Sequence, residues 1–202
     1  MKIIGQRVIL RDPIKKDIED RIRWETVETE WLDWDAPWEL ENGEPFDPEE
    51  YRNLMNKKLS KPKNPNEIRY GFQICINNRT MKHIGWVNSY FIDDNYCYTA
   101  NNGKLAIGID IPDLDARRKG YATEAWCLFI RYLLDKGFEE IYTQTWSGNT
   151  RVIGLMNKVG FVECDRKKNY HMVKGKLYDA LTFKLDIGKF NEFYKDYFSG
   201  NK

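Results

Sequence analysis

A strand pattern, a short loop, a basic turn and an apolar-periodic helix follow one another without a break between residues 104 and 137. Residues 104–111 alternate as a half-buried strand does, and the apolar residues after Gly120 recur at helical spacing. Gly137 is a suitable C-cap for that helix. This order predicts a strand that leads through a glycine turn into the N-terminus of a long helix.

The turn before Gly120 carries three consecutive cations, Arg117, Arg118 and Lys119. A helix N-terminus presents N–H groups without acceptors and a partial positive charge, and a glycine there lets the backbone approach a phosphate closely. The turn is therefore a candidate anion site. A basic loop before a helix is also typical of a plain solvated cap, and the turn alone does not separate the two interpretations.

Hydrophobic periodicity and turn residues predict the remaining elements. The turn-like Asn77-Asn78-Arg79 separates two alternating runs and predicts a hairpin. Strands are predicted at 7–11, 70–76, 83–91, 104–111, 140–146, 161–172 and 176–187. Helices are predicted after Asp12-Pro13, from near Pro48, from Gly120, over 149–159, and over 188–198, where the last one docks on the body or on a partner subunit.

Composition narrows the possible functions. The chain has 202 residues and a net charge of +1, which favours one domain over 1–202 and argues against a general nucleic-acid binder. No signal peptide or run long enough to span a bilayer is recognisable, so we expect a cytoplasmic protein without a membrane partner. The cysteines lack metal-ligand spacing, and we expect reduced structural thiols and no metal site. They are Cys75, Cys97, Cys127 and Cys164.

Three motifs occur in an order that resembles the GNAT superfamily of N-acetyltransferases. Arg117-x-x-Gly120-x-Ala122 resembles its pyrophosphate-binding signature, and residues 149–161 resemble its second signature, in which an asparagine opens a short helix that ends in lysine, an apolar residue, glycine and phenylalanine. Residues 175–179 are similar to the closing strand of the ribosomal-protein, spermidine and aminoglycoside acetyltransferase branch. The resemblance is weak before about residue 65.

The resemblance implies a mixed α/β (α+β) fold with a mostly antiparallel central sheet, splayed beside the cofactor strand, and helices on both faces. It implies an acetyl-CoA-binding core over 104–161, a variable acceptor-side insert over 28–66 and a C-terminal helix over 188–198. In such an enzyme an amine attacks the thioester directly, without a metal or a nucleophilic side chain. The implied cofactor-binding residues are Ile109, Asp110, Ile111, Arg117, Arg118, Lys119, Gly120, Tyr121, Ala122, Asn149 and Met156.

The proton-transfer groups depart from the family pattern. Met156 stands where many relatives carry a tyrosine that protonates the leaving thiolate. Either the thiolate leaves without help, because a thiol is a fair leaving group, or Tyr178, or else Tyr170, is the acid. Asp110 is the candidate base, and Asp179 or a carboxylate of the insert is an alternative. Asn149 either orients the cofactor or water or acts as the N-cap of its own helix.

The acceptor must be inferred from residues 28–50, which hold ten acidic residues and no lysine or arginine. Carboxylates beside Trp31, Trp34 and Trp38 suit a cationic acceptor, such as an aminoglycoside, a polyamine or a protein N-terminus. The alternative is that these tryptophans only pack the insert against the core. A CoA-binding sensor with little catalytic activity is the second functional hypothesis, and the protein is expected to be a monomer or a homodimer.

Overall fold

The computed structural model describes residues 1–42, 44–62, 64–100 and 102–200. They form two compact units, one from Met1–Asn88 with Ile109–Leu128, the other from Ser89–Gly108 with Phe129–Lys202. None of the described helices is long and apolar enough to cross a lipid bilayer.

The strands of the first unit pair antiparallel. They are β1 (Lys2–Ile4), β2 (Val8–Arg11), β3 (Gly71–Ile76) and the first part of β4 (His83–Ile92), and each pairs with the next. The predicted hairpin between β3 and β4 is confirmed. The Asn78 side chain closes its turn by accepting hydrogen bonds from the N–H groups of Thr80 and Met81. No strand is predicted at β1, because its three residues are too few to show an alternating pattern.

Helices α1 (Lys16–Thr26), α2 (Pro37–Asn42) and α3 (Pro48–Ser60) complete the first unit, with a 3₁₀ turn at Thr29–Asp33. The Asp47 side chain caps α3 by accepting the N–H groups of Glu49 and Glu50. A buried ion pair, with both N–O distances 2.6 Å, joins Arg11 of β2 to Asp17 of α1. This pair fixes the position of α1, and removal of one partner leaves a buried charge, which costs about 3–5 kcal/mol.

The second unit contains the remaining strands, β5 (Tyr98–Thr99), β6 (Lys104–Asp110), β7 (Ile141–Trp146), β8 (Phe161–Val173) and β9 (Lys176–Leu185), with the last residues of β6 in the first unit. β6 pairs parallel with β7 through Leu105↔Ile141 and Ala106↔Tyr142, and β9 pairs antiparallel with both β7 and β8. The strand order is β1-β2-β3-β4-β6-β7-β9-β8, with β5 paired to β4. The predicted mixed, mostly antiparallel sheet is confirmed.

The last three helices are α4 (Tyr121–Asp135), α5 (Thr150–Val159) and α6 (Ile187–Ser199). Gly160, at a φ of +100°, ends α5 in the left-handed conformation that glycine adopts without strain. On α6 the Phe190 side chain is fully buried, and the Arg131 guanidinium lies 5.6 Å from the centre of its ring. The C-terminal helix therefore docks within its own chain through Phe190.

Candidate active site

The basic turn ends where α4 begins. Gly120 has a φ of +78° and Arg118 a φ of +58°, so the chain turns sharply into the helix. The Glu124 N–H donates to the Gly120 carbonyl at 3.3 Å. By helix geometry, the N–H groups of the first turn before Glu124 have no acceptor inside α4. This helix N-terminus is therefore open to an external anion.

Arg7 adds a cation to this turn that sequence reasoning missed. A Cβ atom on Gly120 would lie 2.8 Å from Arg7 Nη1, and the Arg7 guanidinium carbon lies 5.1 Å from the centre of the Tyr121 ring. Buried Glu124 accepts the N–H groups of Arg7 and Val8, at 2.9 and 3.4 Å. Arg7 lies more than a hundred positions before the turn in the sequence, and no local pattern marks it.

Arg117 contacts the loop that precedes the turn. Its Nε donates to the Ile111 carbonyl at 2.8 Å, and its guanidinium pairs with Glu30 of the insert. In the same loop, buried Asp113 accepts the Ala116 N–H at 3.0 Å. Arg117 thus fixes the shape of the loop between β6 and α4.

Asp110 lies at the end of β6, beside Gly85 of β4. A Cβ atom on Gly85 would be 2.0 Å from the Asp110 carbonyl oxygen and 3.1 Å from the Ile111 Cα. No other residue fits at position 85 without moving the backbone of β6. Gly85 therefore sets how closely the end of the predicted cofactor strand approaches β4.

The Asp110 carboxyl binds its proton more tightly than an ordinary aspartate. Burial raises its pKa well above the usual value, and the negative charge of Asp35 raises it further. The Arg21 charge and a hydrogen bond from the Trp86 side chain act in the opposite direction. A raised pKa makes the ionised carboxylate a stronger base than that of an ordinary aspartate.

Arg21 and three tryptophans form a cluster in the first unit. The Arg21 guanidinium carbon lies 3.8 Å from the centre of the Trp86 ring and 5.1 Å from that of Trp31. Glu25, one turn further along α1, accepts from Arg21 Nε at 2.6 Å. The Trp31 and Trp86 rings meet edge to face, with centroids 5.2 Å apart, and Trp24 lies 6.0 Å from Trp86. Such packing holds the Arg21 guanidinium against the indole of Trp86.

The three tryptophans predicted to bind the acceptor differ in their surroundings. Trp31 is buried and donates its indole N–H to the Trp24 carbonyl at 2.8 Å, as expected of a packing residue. Trp34 donates to Glu30 at 2.9 Å, and Trp38 lies on α2, both side chains partly exposed. A role in acceptor binding stays a prediction for all three.

The acidic insert is partly neutralised by arginines of the same unit. Glu30 pairs with Arg117, Glu28 with Arg23, and Glu49 with Arg52. Asp35 differs, because burial and the charge of Glu39 raise its pKa even though its side chain keeps contact with solvent.

The second signature lies in the second unit. The Asn149 side chain accepts the Val152 N–H at 3.2 Å, which is the N-cap arrangement, and Met156 is fully buried. The Tyr178 ring packs edge to face on Trp146, with centroids 4.9 Å apart. Their contacts with cofactor or substrate stay predictions.

Asp179, the alternative base, is held by other groups. The Asn169 N–H donates to it at 3.0 Å and Arg166 at 2.7 Å. These hydrogen bonds, that of Asn169 first, lower the pKa of the Asp179 carboxyl. A lowered pKa makes a carboxylate a weaker base, so the comparison favours Asp110.

Asp17, Asp20 and His83 bring potential metal-ligand atoms within 4.8 Å of one another. Both oxygens of Asp17 already accept from Arg11, while His83 Nδ1 lies 3.0 Å from Asp20 and Nε2 lies 2.8 Å from Gln73. The group is therefore a buried polar network beneath α1. The partners of His83 come from separate segments of the chain, so no local spacing marks this network.

Comparison with known proteins identifies the family. The model of the GNAT acetyltransferase domain matches residues 7–162, which include the loop and turn described above. A search of the curated proteins finds no match.

Solved structures show the same fold. A GNAT-family acetyltransferase from Bacillus anthracis is 18% identical with a TM-score of 0.66, covering 92% of this chain and 98% of the other. A ribosomal-protein-S5-alanine acetyltransferase from Vibrio fischeri is 15% identical with a TM-score of 0.66, covering 91% and 95%. A ribosomal L7/L12 α-N-protein acetyltransferase solved with coenzyme A is 13% identical with a TM-score of 0.65, covering 91% and 97%. The chain belongs to the GNAT family and is an acetyl-CoA-dependent N-acetyltransferase.

Proposed function

We propose that this enzyme acetylates a primary amine of a cationic acceptor, with Asp110 as the general base. The observation that carries the proposal is the position of Asp110 at the end of β6, where Gly85 of β4 approaches its backbone, and burial raises the pKa of its carboxyl. The amine nitrogen attacks the thioester carbonyl, so that an N–C bond forms and the C–S bond breaks. Asp110 takes the ammonium proton, directly or through water, and Tyr178 protonates the thiolate that leaves as coenzyme A.

The cofactor is proposed to bind along the loop and turn of the first unit. The backbone N–H groups of Ile109, Asp110 and Ile111 hold the pantetheine arm and the thioester carbonyl, and the turn 117–122 holds the diphosphate. The open N-terminus of α4 and the cation Arg7 beside Gly120 support this assignment. Asn149 and Met156 complete the proposed set.

A cationic acceptor is supported by the excess of carboxylates around Asp110. Asp35, Glu25 and Glu39 all raise carboxyl pKa values there, whereas Arg21 alone among these neighbours lowers them. A bound ammonium group would relieve this repulsion. Polyamines, aminoglycosides and protein N-termini share this chemistry, and two of the similar structures are described as ribosomal-protein acetyltransferases.

The test measures free thiol released from acetyl-CoA in the presence of spermidine, an aminoglycoside, basic and acidic N-terminal peptides, and a neutral amine. We expect acceptor-dependent release that is fastest with the cationic acceptors. Asp110→Asn should lower kcat/KM by about 10²–10⁴-fold, the usual contribution of a general base. Asp179→Asn and the exposed control Asp115→Asn should stay near the wild-type value.

The pH profile gives a second readout. Because the base must be ionised and its pKa is raised, kcat/KM should increase with pH through a value above that of an ordinary aspartate. Asp110→Asn should remove this increase of kcat/KM with pH, the acidic limb of the profile. Release that is independent of every acceptor, together with thermal stabilisation by CoA, would favour the sensor hypothesis.

Asp110→Asn should also change stability in a defined direction. The folded state holds the Asp110 proton more tightly than the unfolded chain, so the stability of the wild type decreases as pH rises through the raised pKa. The variant lacks this loss and should be more stable at neutral pH, with the two proteins converging in acid. Urea unfolding at several pH values measures the difference, and a variant that is less stable at neutral pH would contradict the burial argument.

Tyr178→Phe tests the proposed acid. We expect a lower kcat with an unchanged KM for acetyl-CoA, because the phenol acts on the leaving thiolate and not on cofactor binding. Tyr170→Phe is the matched control, since Tyr170 was the alternative donor. An unchanged kcat in both variants would show that the thiolate leaves without either phenol.

A further inference from the structure

We infer that Glu124 is a positioning residue for the cofactor site: its buried carboxylate holds the backbone of Arg7 and so places the Arg7 guanidinium beside the glycine turn at Gly120. The inference rests on the proposed function in one respect, that the turn 117–122 binds the diphosphate of CoA. It joins this turn to the loop between β1 and β2 (residues 5–7), which lies outside the three sequence motifs.

Glu124 lies in the first turn of α4 and is completely buried. Its Oε1 accepts hydrogen bonds from the backbone N–H groups of Arg7, at 2.9 Å, and Val8, at 3.4 Å. Its Oε2 has no hydrogen-bond partner among the described residues. Because a buried polar atom without a partner lowers stability, stability alone does not explain a glutamate at this position. What the carboxylate does provide is a fixed attachment for the β1–β2 loop.

Gly5 allows the carboxylate to come close to this loop. A Cβ atom at position 5 would lie 2.2 Å from Glu124 Oε1, 2.7 Å from Leu128 Cδ1 and 3.1 Å from the Val8 carbonyl oxygen. The Gly5 N–H donates to the same carbonyl at 2.9 Å and closes the loop. A side chain at position 5 would therefore push the carboxylate away from the N–H groups that it binds.

The turn between β3 and β4 supplies further hydrogen bonds to the loop. The Asn77 N–H donates to the Arg7 carbonyl at 2.7 Å, and the Asn77 side-chain amide donates to the Gly5 carbonyl at 2.8 Å. The N–H and the carbonyl of Arg7 are thus both bound by other segments of the chain. The point from which the Arg7 side chain extends is therefore fixed.

The Arg7 guanidinium lies against the glycine turn. Its Nη1 would be 2.8 Å from a Cβ on Gly120, and its central carbon lies 5.1 Å from the centre of the Tyr121 ring. The cation–π contact and the fixed backbone restrict a long side chain before any ligand binds. Because ordering such a side chain opposes binding, a guanidinium that is already in place strengthens the binding of a phosphate.

The test compares Glu124→Met with Glu124→Gln and measures CoA affinity by calorimetry at low salt. Both substitutions remove the carboxylate and keep a side chain of similar length, but only glutamine retains an oxygen that can accept the N–H groups of Arg7 and Val8. CoA should bind about 2- to 5-fold more weakly to Glu124→Met than to Glu124→Gln, the effect of one misplaced, partly screened cation. The difference should shrink at high salt.

A double-mutant cycle separates positioning from a general effect on the fold. In an Arg7→Gln background, the two Glu124 variants should bind CoA equally, because the charge that Glu124 positions is gone. With acetyl-CoA as substrate, the loss in Glu124→Met should appear in KM and leave kcat unchanged. A residue that only supports the fold would lower the affinity by the same factor in both backgrounds.

Asn77→Ala provides a second measurement in case Glu124→Met folds poorly. It removes the exposed donor to the Gly5 carbonyl and should weaken CoA binding only when Arg7 is present. Asn78→Ala is the matched control, because the Asn78 side chain binds Thr80 and Met81 within its own turn. Circular dichroism and thermal melting verify that each variant is folded.

The outcomes separate the two proposals. Suppose that Gly120→Asp loses CoA affinity, but the two Glu124 variants bind CoA equally, or differ by the same factor in both backgrounds. Glu124 then only supports the fold and the inference is wrong, while the proposed cofactor site stands. If Gly120→Asp binds CoA as the wild type does, the placement of the diphosphate fails first, and the inference fails with it.

Discussion

The helices α4 and α5 both begin in segments that resemble family signatures, yet their N-termini are built differently. α4 follows Gly120, which has no side chain to cap the helix, and basic residues lie around it. α5 follows Asn149, whose side chain accepts the Val152 N–H at 3.2 Å. One N-terminus leaves its first N–H groups for a ligand, and the other satisfies part of them from its own chain.

This difference teaches that a signature asparagine and a signature glycine carry different physical information. The glycine turn is informative because Gly120, at positive φ, leads into a helix whose first N–H groups have no acceptor within the helix. Such donors are suited to bind an anion. The asparagine has a complete structural explanation as a cap, so a role with the cofactor must use its amide N–H₂ group.

The largest expected effect on CoA affinity is that of Gly120→Asp. The substitution places a negative charge where the diphosphate is proposed to bind, strains a residue at a φ of +78°, and brings a Cβ to 2.8 Å from Arg7 Nη1. Affinity for CoA should fall on the order of 100-fold or more, measured by calorimetry. Gly137→Asp is the matched control, because it has a φ of +89° with no atom within 4 Å of the new Cβ.

In the control, stability should fall through the same backbone strain while CoA affinity stays unchanged. Equal losses of affinity in Gly120→Asp and Gly137→Asp would mean that strain, and not the anion site, explains the result. The contrast between the two helix starts would then lose its functional meaning.

A smaller effect is expected at Asn149, where two substitutions separate cap from ligand. Asn149→Ala removes the cap and should cost about 1 kcal/mol in urea unfolding, whereas Asn149→Asp keeps a good N-cap and should cost little. Both remove the amide donor, so both should weaken CoA binding, by about 5-fold for alanine. Unchanged CoA affinity in Asn149→Ala would reduce the role of Asn149 to that of a cap.

The smallest effect on CoA affinity is expected for Arg7→Gln. A cation next to an open helix N-terminus strengthens anion binding modestly, so CoA affinity should fall by about 2- to 5-fold at low salt. The difference from wild type should shrink at high salt because such charges are screened. Lys15→Gln, an exposed cation of the same unit, is the control, and a salt-independent loss at Arg7 would indicate a structural role instead.

Much of the fold could be predicted because its elements are long and regular. The strand at 104–111, the helix from Gly120 and the hairpin at 70–91 are confirmed, since periodicity over many residues identifies element type. No helix is predicted in the insert before Pro48, and the structure adds a 3₁₀ turn and α2 there. Elements of two or three residues, such as β1 and β5, carry too few positions for a period to show.

The sequence by itself indicated the family and the cofactor, because three motifs occur in a fixed order. The first two record local requirements: a glycine at positive φ, and a helix with a capping residue and a glycine stop. Only the tertiary structure decided that Arg7 lies beside Gly120, that arginines neutralise part of the acidic insert, and that the Arg21 guanidinium lies against the Trp86 ring. Charge coupling and hydrogen bonding depend on distance through space, which spacing along the chain does not encode.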